Sequence, residues 1–419
     1  MTKSLTVWWD ETIVGHMPLN EYGEPFFQYA PEWLRAENCI AISVSLPLQE
    51  EAFSWRKTLP FFEGLLPEES QLRAASEVLG ISDKNVFGLL EALGGDVAGA
   101  LSLWPSGKTP PAAESSAPTV LSPDAFIKIL DELPYRPMLA GKAGMRLSLA
   151  GAQSKLPIIF EVGNVALPGP GQPTTHIIKP PITRFEGTTE NEAFCMRLAH
   201  KAELPVAPID ILTINERSCL LVERYDRMSN AEGAMMRLHQ EDFCQALGYV
   251  SSKKYTADGG PRLKDCFDLI RSAATRPARD VLRLVDAVIF NIIIGNADAH
   301  SKNFSLIYSE GGISLAPLYD LLSTVSYPEL SSKFAMKIAK RATLEELQPK
   351  DIQTLAEDTG LTAPYIRRRI QALGSAVIDE APAVHKGFKL TDTQRQFMRK
   401  YEKLVSERAQ NLMDIATQS

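Results

Sequence analysis

The stretch from Asn291 to Asp320, NIIIGNADAHSKNFSLIYSEGGISLAPLYD, leaves the backbone few courses to follow. Apolar residues at helical spacing run from Val281 to Ile294 and stop at Gly295, which can take the positive φ that closes a helix and turns the chain. A polar loop follows, with Asp298 first, His300 two positions on and Asn303 five positions after the aspartate. A strand is predicted from Phe304 to Tyr308, the Glu310-Gly311-Gly312 turn sends the chain back as Ile313 to Leu315, and Asp320 lies just beyond. The predicted order is helix, polar loop, hairpin and carboxylate.

That order suits phosphoryl transfer, in which a protein holds a hydroxyl in line with the γ-phosphate and offsets charge with Mg²⁺. Asp320 and Asn303 offer a carboxylate and an amide oxygen, hard ligands of the kind Mg²⁺ takes in ones and twos beside phosphate and water. Asp298 stands at the loop apex with no basic neighbour in sequence closer than Lys302, a setting for accepting the proton of an incoming Ser or Thr hydroxyl. D-x-x-x-x-N followed by an aspartate after a hairpin is the layout of a protein-kinase catalytic loop, and D-x-H-x-x-N resembles the lipid-kinase form. The same spacing also serves loops whose Asp and Asn only cap backbone groups, so the rest of the chain decides.

A chain of 419 residues has room for two or three domains, and 45% hydrophobic with 23% charged residues is the balance of a soluble globular protein. The formal charge of -7 argues against wholesale binding of nucleic acid by this chain alone, because the phosphate backbone dominates such affinity, and leaves room for a local basic patch. Cys39, Cys195, Cys219, Cys244 and Cys266 form an odd set without a C-x-x-C pair and read as reduced core residues of a cytoplasmic protein rather than a zinc site. MTKSLTVWWDETIVG lacks an apolar core of signal-peptide length, and the longest apolar run is broken by Asn291, so no membrane span is expected.

Taken in order, Leu5 to Trp9, Thr12 to His16 and Ala41 to Leu46 predict strands, Gln71 to Leu79 and Val86 to Leu93 predict helices, and Ala98 to Trp104 returns to strand. The five tryptophans read as core, and nothing in this part carries catalytic chemistry. PSGKTPPAAESSAPTV reads as an exposed linker, after which Ser122-Pro123 opens a helix. The division is 1–105 as an N-terminal subdomain, 106–121 as linker, 122–226 as a β-rich lobe and 227–419 as a helical lobe. Ala150-Gly151-Ala152-Gln153-Ser154 lies between strand-like flanks; small residues there let backbone N–H groups approach phosphate, and a plain β-turn has the same composition.

Thr175 to Lys179 is a strand that delivers a lysine, suited to neutralising phosphate oxygens or, as an edge residue, to discouraging strand pairing. A helix from Thr189 to Lys201 carries Glu190 and Glu192, either of which can pair with Lys179. Ile209 to Ile214 and Ser218 to Glu223 form a hairpin leading into an extended, hinge-like segment, and helices are predicted at Gln240 to Leu247 and Leu263 to Ala273.

The segments SLAGAQSK, THIIKPP, NEAFC, LLVERYDR, QEDFCQALG, GNADAHSKNFS and APLYD together resemble the HipA family of bacterial toxin kinases over nearly the whole chain. The resemblance implies an α+β, two-lobed protein-kinase-like fold related to lipid kinases. Its β-rich N-terminal lobe would include a small N-terminal subdomain, and its C-terminal lobe would be all-helical. It also implies ATP- and Mg²⁺-dependent phosphorylation of Ser or Thr, and pairing with HipB, a helix-turn-helix antitoxin that binds operator DNA.

By position, Ala150, Gly151, Ala152, Gln153, Ser154 and Lys155 would form the phosphate loop, Lys179 would bind phosphate, and Glu223 and Tyr225 would contact adenine. Asp298 would be catalytic, His300 and Tyr319 would line the nucleotide, Asn303 and Asp320 would hold the metal, and Ser148 would be autophosphorylated. The implied substrate is an aminoacyl-tRNA synthetase, glutamyl-tRNA synthetase in the best-known case. Arg367-Arg368-Arg369 and the helix from Thr391 to Ile415 are candidate DNA contacts, although a basic helix face is ordinarily just solvated. Two other readings are a catalytically silent corepressor and a small-molecule kinase; the set Lys179, Asp298, Asn303 and Asp320 speaks against the first, the N-terminal subdomain and Ser148 against the second.

Overall fold

The computed structural model describes residues 3–112 and 117–418, so residues 113–116 of the expected linker lie outside the described residues. The chain opens with β1 (Ser4–Trp9), β2 (Thr12–Pro18), β3 (Gln28–Tyr29), α1 (Pro31–Arg35), α2 (Trp55–Glu63), α3 (Glu69–Leu79), α4 (Val86–Leu93) and β4 (Leu101–Pro105). The strands form an antiparallel sheet in the order β3-β2-β1-β4, and Leu5, Val7 and Leu103 on its inner face meet Phe61, Phe62 and Leu90 of the helices. Trp33 is buried, while Trp8, Trp9, Trp55 and Trp104 are half-buried.

Ala41 to Leu46, expected as a strand, is irregular, with one bridge between Ser43 and Leu46. Its backbone bonds to side chains instead of a ladder: Ile42 N–H donates to Tyr29 Oη (3.0 Å), Tyr29 Oη donates to Leu46 O (2.6 Å), and Val44 N–H donates to Glu241 Oε1 (2.9 Å).

The second unit holds β5 (Thr119–Val120), α5 (Pro123–Glu132), β6 (Leu156–Glu161), β7 (Asn164–Leu167), β8 (His176–Lys179), α6 (Thr188–Lys201), β9 (Ile209–Ile214) and β10 (Arg217–Glu223). Ser122 caps α5 by accepting the Ala125 N–H at 3.2 Å, with Pro123 in the first turn. The six strands are antiparallel in the order β5-β7-β6-β8-β10-β9. Asn215 and Glu216 join β9 to β10 with positive φ at both, the conformation a two-residue hairpin turn needs to match strand twist.

The third unit holds β11 (Arg227–Ser229), β12 (Met235–Arg237), β13 (His239–Asp242), α7 (Phe243–Leu247), α8 (Leu263–Ala273), α9 (Pro277–Ile294), β14 (Ser305–Ser309), β15 (Gly312–Leu315), α10 (Asp351–Thr359), α11 (Ala363–Glu380) and α12 (Asp392–Thr417). This lobe is mainly helical, and the expectation of an all-helical lobe is corrected by the sheet β13-β14-β15 and the ribbon β11-β12. Gln240 to Leu247, expected as one helix, is a strand followed by a short helix. His239 and Glu241 point inward at a period of two, and Asp242 then caps α7 in a capping box with Gln245.

Phe267, Phe290, Ile293, Ile370, Tyr401 and Val405 belong to the core that joins α8, α9, α11 and α12. Burying each such side chain contributes about 1.5–3 kcal/mol. The arginine run is not a free basic face. Arg367 Nη1 donates to Gln418 O (2.9 Å) at the end of α12, and Arg369 makes a two-pronged pair with Asp286 (2.8 and 2.9 Å); only Arg368 is exposed. Among the described residues no helix is long and apolar enough to cross a membrane.

Candidate active site

A cleft of about 1000 Å³ lies where the three units meet. Every catalytic and nucleotide-site position singled out in the sequence, from Ala150 to Asp320, lines it; Ser148 does not. A shallower groove of about 870 Å³ between α5 and the β9–β10 turn holds none of them.

Lys179 enters the cleft at the end of β8, where Pro180 stops the ladder. Its ammonium donates to Glu192 Oε1 (2.6 Å) and to Asp320 Oδ1. Glu190, the other candidate partner, faces α12 and accepts the Gln394 amide at 2.9 Å. Burial alone pushes Lys179 toward neutrality, but Asp320 and Glu192 outweigh it and raise its pKa. Burial likewise works against a charged Asp320, yet Lys179 and Lys155 hold its carboxyl down to about 2. The cleft floor therefore carries charged groups at neutral pH.

The loop from Ala150 to Ser154 curls around the lysine that follows it. Lys155 Nζ donates to Ala150 O at 2.7 Å, and a Cβ on Gly151, whose φ is +110°, would sit 2.3 Å from that nitrogen. Only glycine fits there. Among the described residues no hydrogen bond within the protein comes from the backbone N–H groups of Ala150 to Ser154. Gln153 Nε2 donates to Pro180 O at 3.3 Å, tying the loop to the strand that carries Lys179.

α9 ends at Gly295 with φ +70° and delivers the polar loop as the sequence predicts. Asp298 is exposed at the cleft mouth and accepts the Tyr255 hydroxyl on Oδ1 at 2.9 Å. His300 is buried, which lowers its pKa to about 3 and keeps the ring neutral; its Nδ1 is buried without a partner. Asn303 accepts the His300 N–H on Oδ1 (3.1 Å) and turns Nδ2 toward Asp320 Oδ2 at 3.5 Å. Asp320 itself has φ +53°, and the Asn296 amide fixes it by donating to its carbonyl at 3.2 Å. Tyr319 donates to Lys302 O (2.7 Å), and its ring stacks on Tyr225 with centroids 5.8 Å apart. Glu223 is exposed at the hinge, its N–H donating to Pro208 O at 2.9 Å.

The first hundred residues, where the sequence shows nothing catalytic, supply part of this wall. Glu68 N–H donates to Gly151 O (3.2 Å), and the Glu68 carboxylate takes Lys254 (2.9 Å) and Lys302 (3.7 Å). Lys302 is buried on Asp242 and Glu68, so it is not the charge beside Asp298 that its sequence position suggests. Ser148 is fully buried, its Oγ donating to Leu65 O at 2.7 Å. Glu68, Lys254, Tyr255 and Asn296 went unmarked in the sequence; the one available signal was Asn296 itself, a second asparagine at the end of an apolar helix.

Known proteins resemble this chain over most of its length. The family model of the HipA-like C-terminal domain matches residues 147–381, and that of the HipA N-terminal domain matches residues 5–104. Putative kinase Y4mE of Sinorhizobium fredii is 54% identical over 374 residues, covering 88% of this chain and 89% of that protein. The serine/threonine-protein kinase toxin HipA of Shewanella oneidensis is 31% identical over 349 residues, covering 80% and 79%. The solved complex of Shewanella oneidensis HipA with HipB and operator DNA shares the fold, with a TM-score of 0.85 at 24% identity, covering 99% of this chain and 100% of that one. Matched by its family model over more than half its length, the chain belongs to the HipA family of serine/threonine-kinase toxins.

Proposed function

We propose that the chain is an ATP- and Mg²⁺-dependent serine/threonine protein kinase acting as the toxin of a toxin–antitoxin pair. The observation that carries this reading is the convergence of Lys179, Asp298, Asn303 and Asp320 on one cleft beneath a loop with free N–H groups. Those N–H groups and Lys179 suit the phosphates of ATP, and Asp298 suits proton removal from the acceptor hydroxyl. The donor set also fits Mg²⁺, since Asp320 is ionised and Asn303 adds an amide oxygen once that amide turns over from its present facing. When bound, the ion would offset the charge on the phosphates. Asp320 would then exchange Lys179 for the metal, leaving the ammonium to Glu192 and phosphate.

The protein acceptor in this reading is an aminoacyl-tRNA synthetase, glutamyl-tRNA synthetase by resemblance, whose modification arrests growth. A HipB-like antitoxin is the partner and would bring operator DNA, in keeping with the neighbour solved with both. With γ-labelled ATP and Mg²⁺ in a cell lysate, the protein is expected to label one or a few bands, and Asp320→Ala to label none and lose Mg²⁺-dependent nucleotide binding. Unchanged nucleotide affinity in that variant removes the metal role, and a lysate that stays unlabelled favours the silent corepressor.

Autophosphorylation of Ser148 belongs to the same proposal. Its hydroxyl is sealed under Leu65, so modification requires the loop to leave the N-terminal subdomain. A phosphate there adds a charge of about -1.5 to -2, too large to return to that buried site. Phosphopeptide mass spectrometry is expected to find Ser148 modified in active protein and unmodified in Asp298→Asn; modification in neither leaves Ser148 as packing.

A further inference from the structure

Tyr255 carries no sequence motif, yet its backbone is fixed on every side. Its carbonyl accepts N–H groups from Asp258 (3.1 Å) and Gly260 (3.0 Å), and a Cβ on Gly260 would lie 1.9 Å from Lys253 O, so the turn closes only around glycine. On one side Lys254 is clamped by Glu68 and Glu69 at 2.9 Å each; on the other, Thr256 N–H donates to Ala335 O at 3.2 Å. The ring meets His300 edge-on with centroids 5.2 Å apart. Out of this mount the phenol donates to Asp298 Oδ1 at 2.9 Å.

A general base performs best when a third group fixes its orientation. We propose that Tyr255 is a positioning residue for phosphoryl transfer, its hydroxyl locking Asp298 Oδ1 so that Oδ2 faces the acceptor. This rests on the reading of Asp298 as the base. In the step it serves, the acceptor hydroxyl gives its proton to Oδ2 while its oxygen bonds to the γ-phosphorus, and the bond from that phosphorus to the bridging oxygen breaks to release ADP. Tyr255 changes no bond. Its phenol stays protonated, because burial and the neighbouring Asp298 raise its pKa, so it acts only as donor.

The charged groups around Asp298 are Lys254 from the same turn, Asp320 from the end of the hairpin and Glu69 from the N-terminal subdomain. The cleft walls around Asp298 limit its hydration and raise its pKa even though the side chain reaches solvent at the mouth; Tyr255 and Lys254 lower it, and Asp320 and Glu69 raise it. Deleting the hydroxyl removes a lowering contact, so the base should ionise at higher pH.

The test is Tyr255→Phe in the full chain, which keeps the ring against His300, with ATP turnover read as ADP formed across pH. The expected result is a kcat lower by roughly ten- to a hundredfold, the loss of one hydrogen bond to a charged group. The acid limb should move to higher pH while the KM for ATP stays within about twofold, since the nucleotide contacts are untouched. A merely structural tyrosine would lower the melting temperature and leave the acid limb where it was. An unchanged or raised kcat, or an unmoved limb, overturns the proposal. Asp298→Asn separates the two failures: if that variant turns over normally the base reading falls, and if it is inactive while Tyr255→Phe behaves as wild type, only the positioning role falls.

Discussion

Asp298→Asn is expected to lower phosphoryl transfer by roughly 10²–10⁴-fold, the range a positioned general base contributes. The substitution keeps the shape of the side chain, and its amide oxygen can still accept the Tyr255 hydroxyl. What it loses is the capacity to take a proton. Nucleotide affinity should stay within about twofold, because on the proposed reading the groups that would meet the phosphates are Lys179 and the Ala150–Ser154 amides, which line the cleft, rather than Asp298. The fold should hold within about 0.5 kcal/mol, since the side chain is exposed at the cleft mouth and has no buried partner ion. Single-turnover transfer from labelled ATP, set beside equilibrium nucleotide binding, separates these terms. Turnover within tenfold of wild type takes Asp298 out of the mechanism, and a parallel loss of affinity makes it a binding residue.

Much of this site was legible because local signals set its course. An apolar helix stopped by Gly295, a polar loop and a Gly-rich hairpin turn are punctuation that acts over a few residues, and the structure follows it from α9 to β15. The choice between Glu190 and Glu192 was open in the sequence because both sit on one helix. Two positions apart on a helix point about 200° apart, so at most one could face Lys179; that it is Glu192, with Glu190 turned to α12, depends on how α6 rolls against its neighbours.

Contacts made across distance were not legible. Glu68 meets Lys254 at a separation of 186 residues, and both sit in irregular segments whose charges look like solvated loops. Tyr255 is read only once Gly260, Lys254 and Thr256 are seen to anchor its turn. The helix predicted from Gln240 to Leu247 hides the strand His239–Asp242 because the strand's inward residues are His and Glu, and only burial against Ile42, Ser43 and Tyr308 shows that face to be internal.

The largest stability loss is expected for Asp96→Ala, at about 3–5 kcal/mol, the usual effect of removing one partner from a buried ion cluster. Asp96 leaves the N-terminal subdomain to sit under the hinge, where Oδ1 accepts Arg227 (3.0 Å) and Arg237 (3.1 Å) and Oδ2 accepts Arg224 (3.2 Å) and the Thr174 hydroxyl (2.7 Å). Asp226, the second carboxylate, binds Arg224 at 2.8 Å and Arg227 at 3.1 Å and accepts the Gly99 N–H at 2.7 Å. Two carboxylates thus face three guanidinium groups, and deleting Asp96 leaves the buried Arg224 and Arg227 sharing Asp226 while Arg237 keeps only the half-exposed Asp10 at 3.9 Å. Burial by itself disfavours an ionised Asp96, but Arg227, Arg224 and Arg237 hold its carboxyl below the usual carboxylate range.

A carboxyl depressed in the folded state adds stability that is complete above its unfolded pKa, near 3.9, and is lost as pH falls toward the folded value. Wild-type urea midpoints should therefore fall below about pH 4, while Asp96→Ala, already without that contribution, changes less over the same interval. Because Arg224 and Asp226 flank Tyr225, the variant should also weaken nucleotide binding at neutral pH, through a hinge that no longer holds its course. A stability loss under about 1 kcal/mol at pH 7 would mean the arginines regain solvent when Asp96 is removed. The subdomain and hinge would then be held together by apolar packing rather than by this cluster.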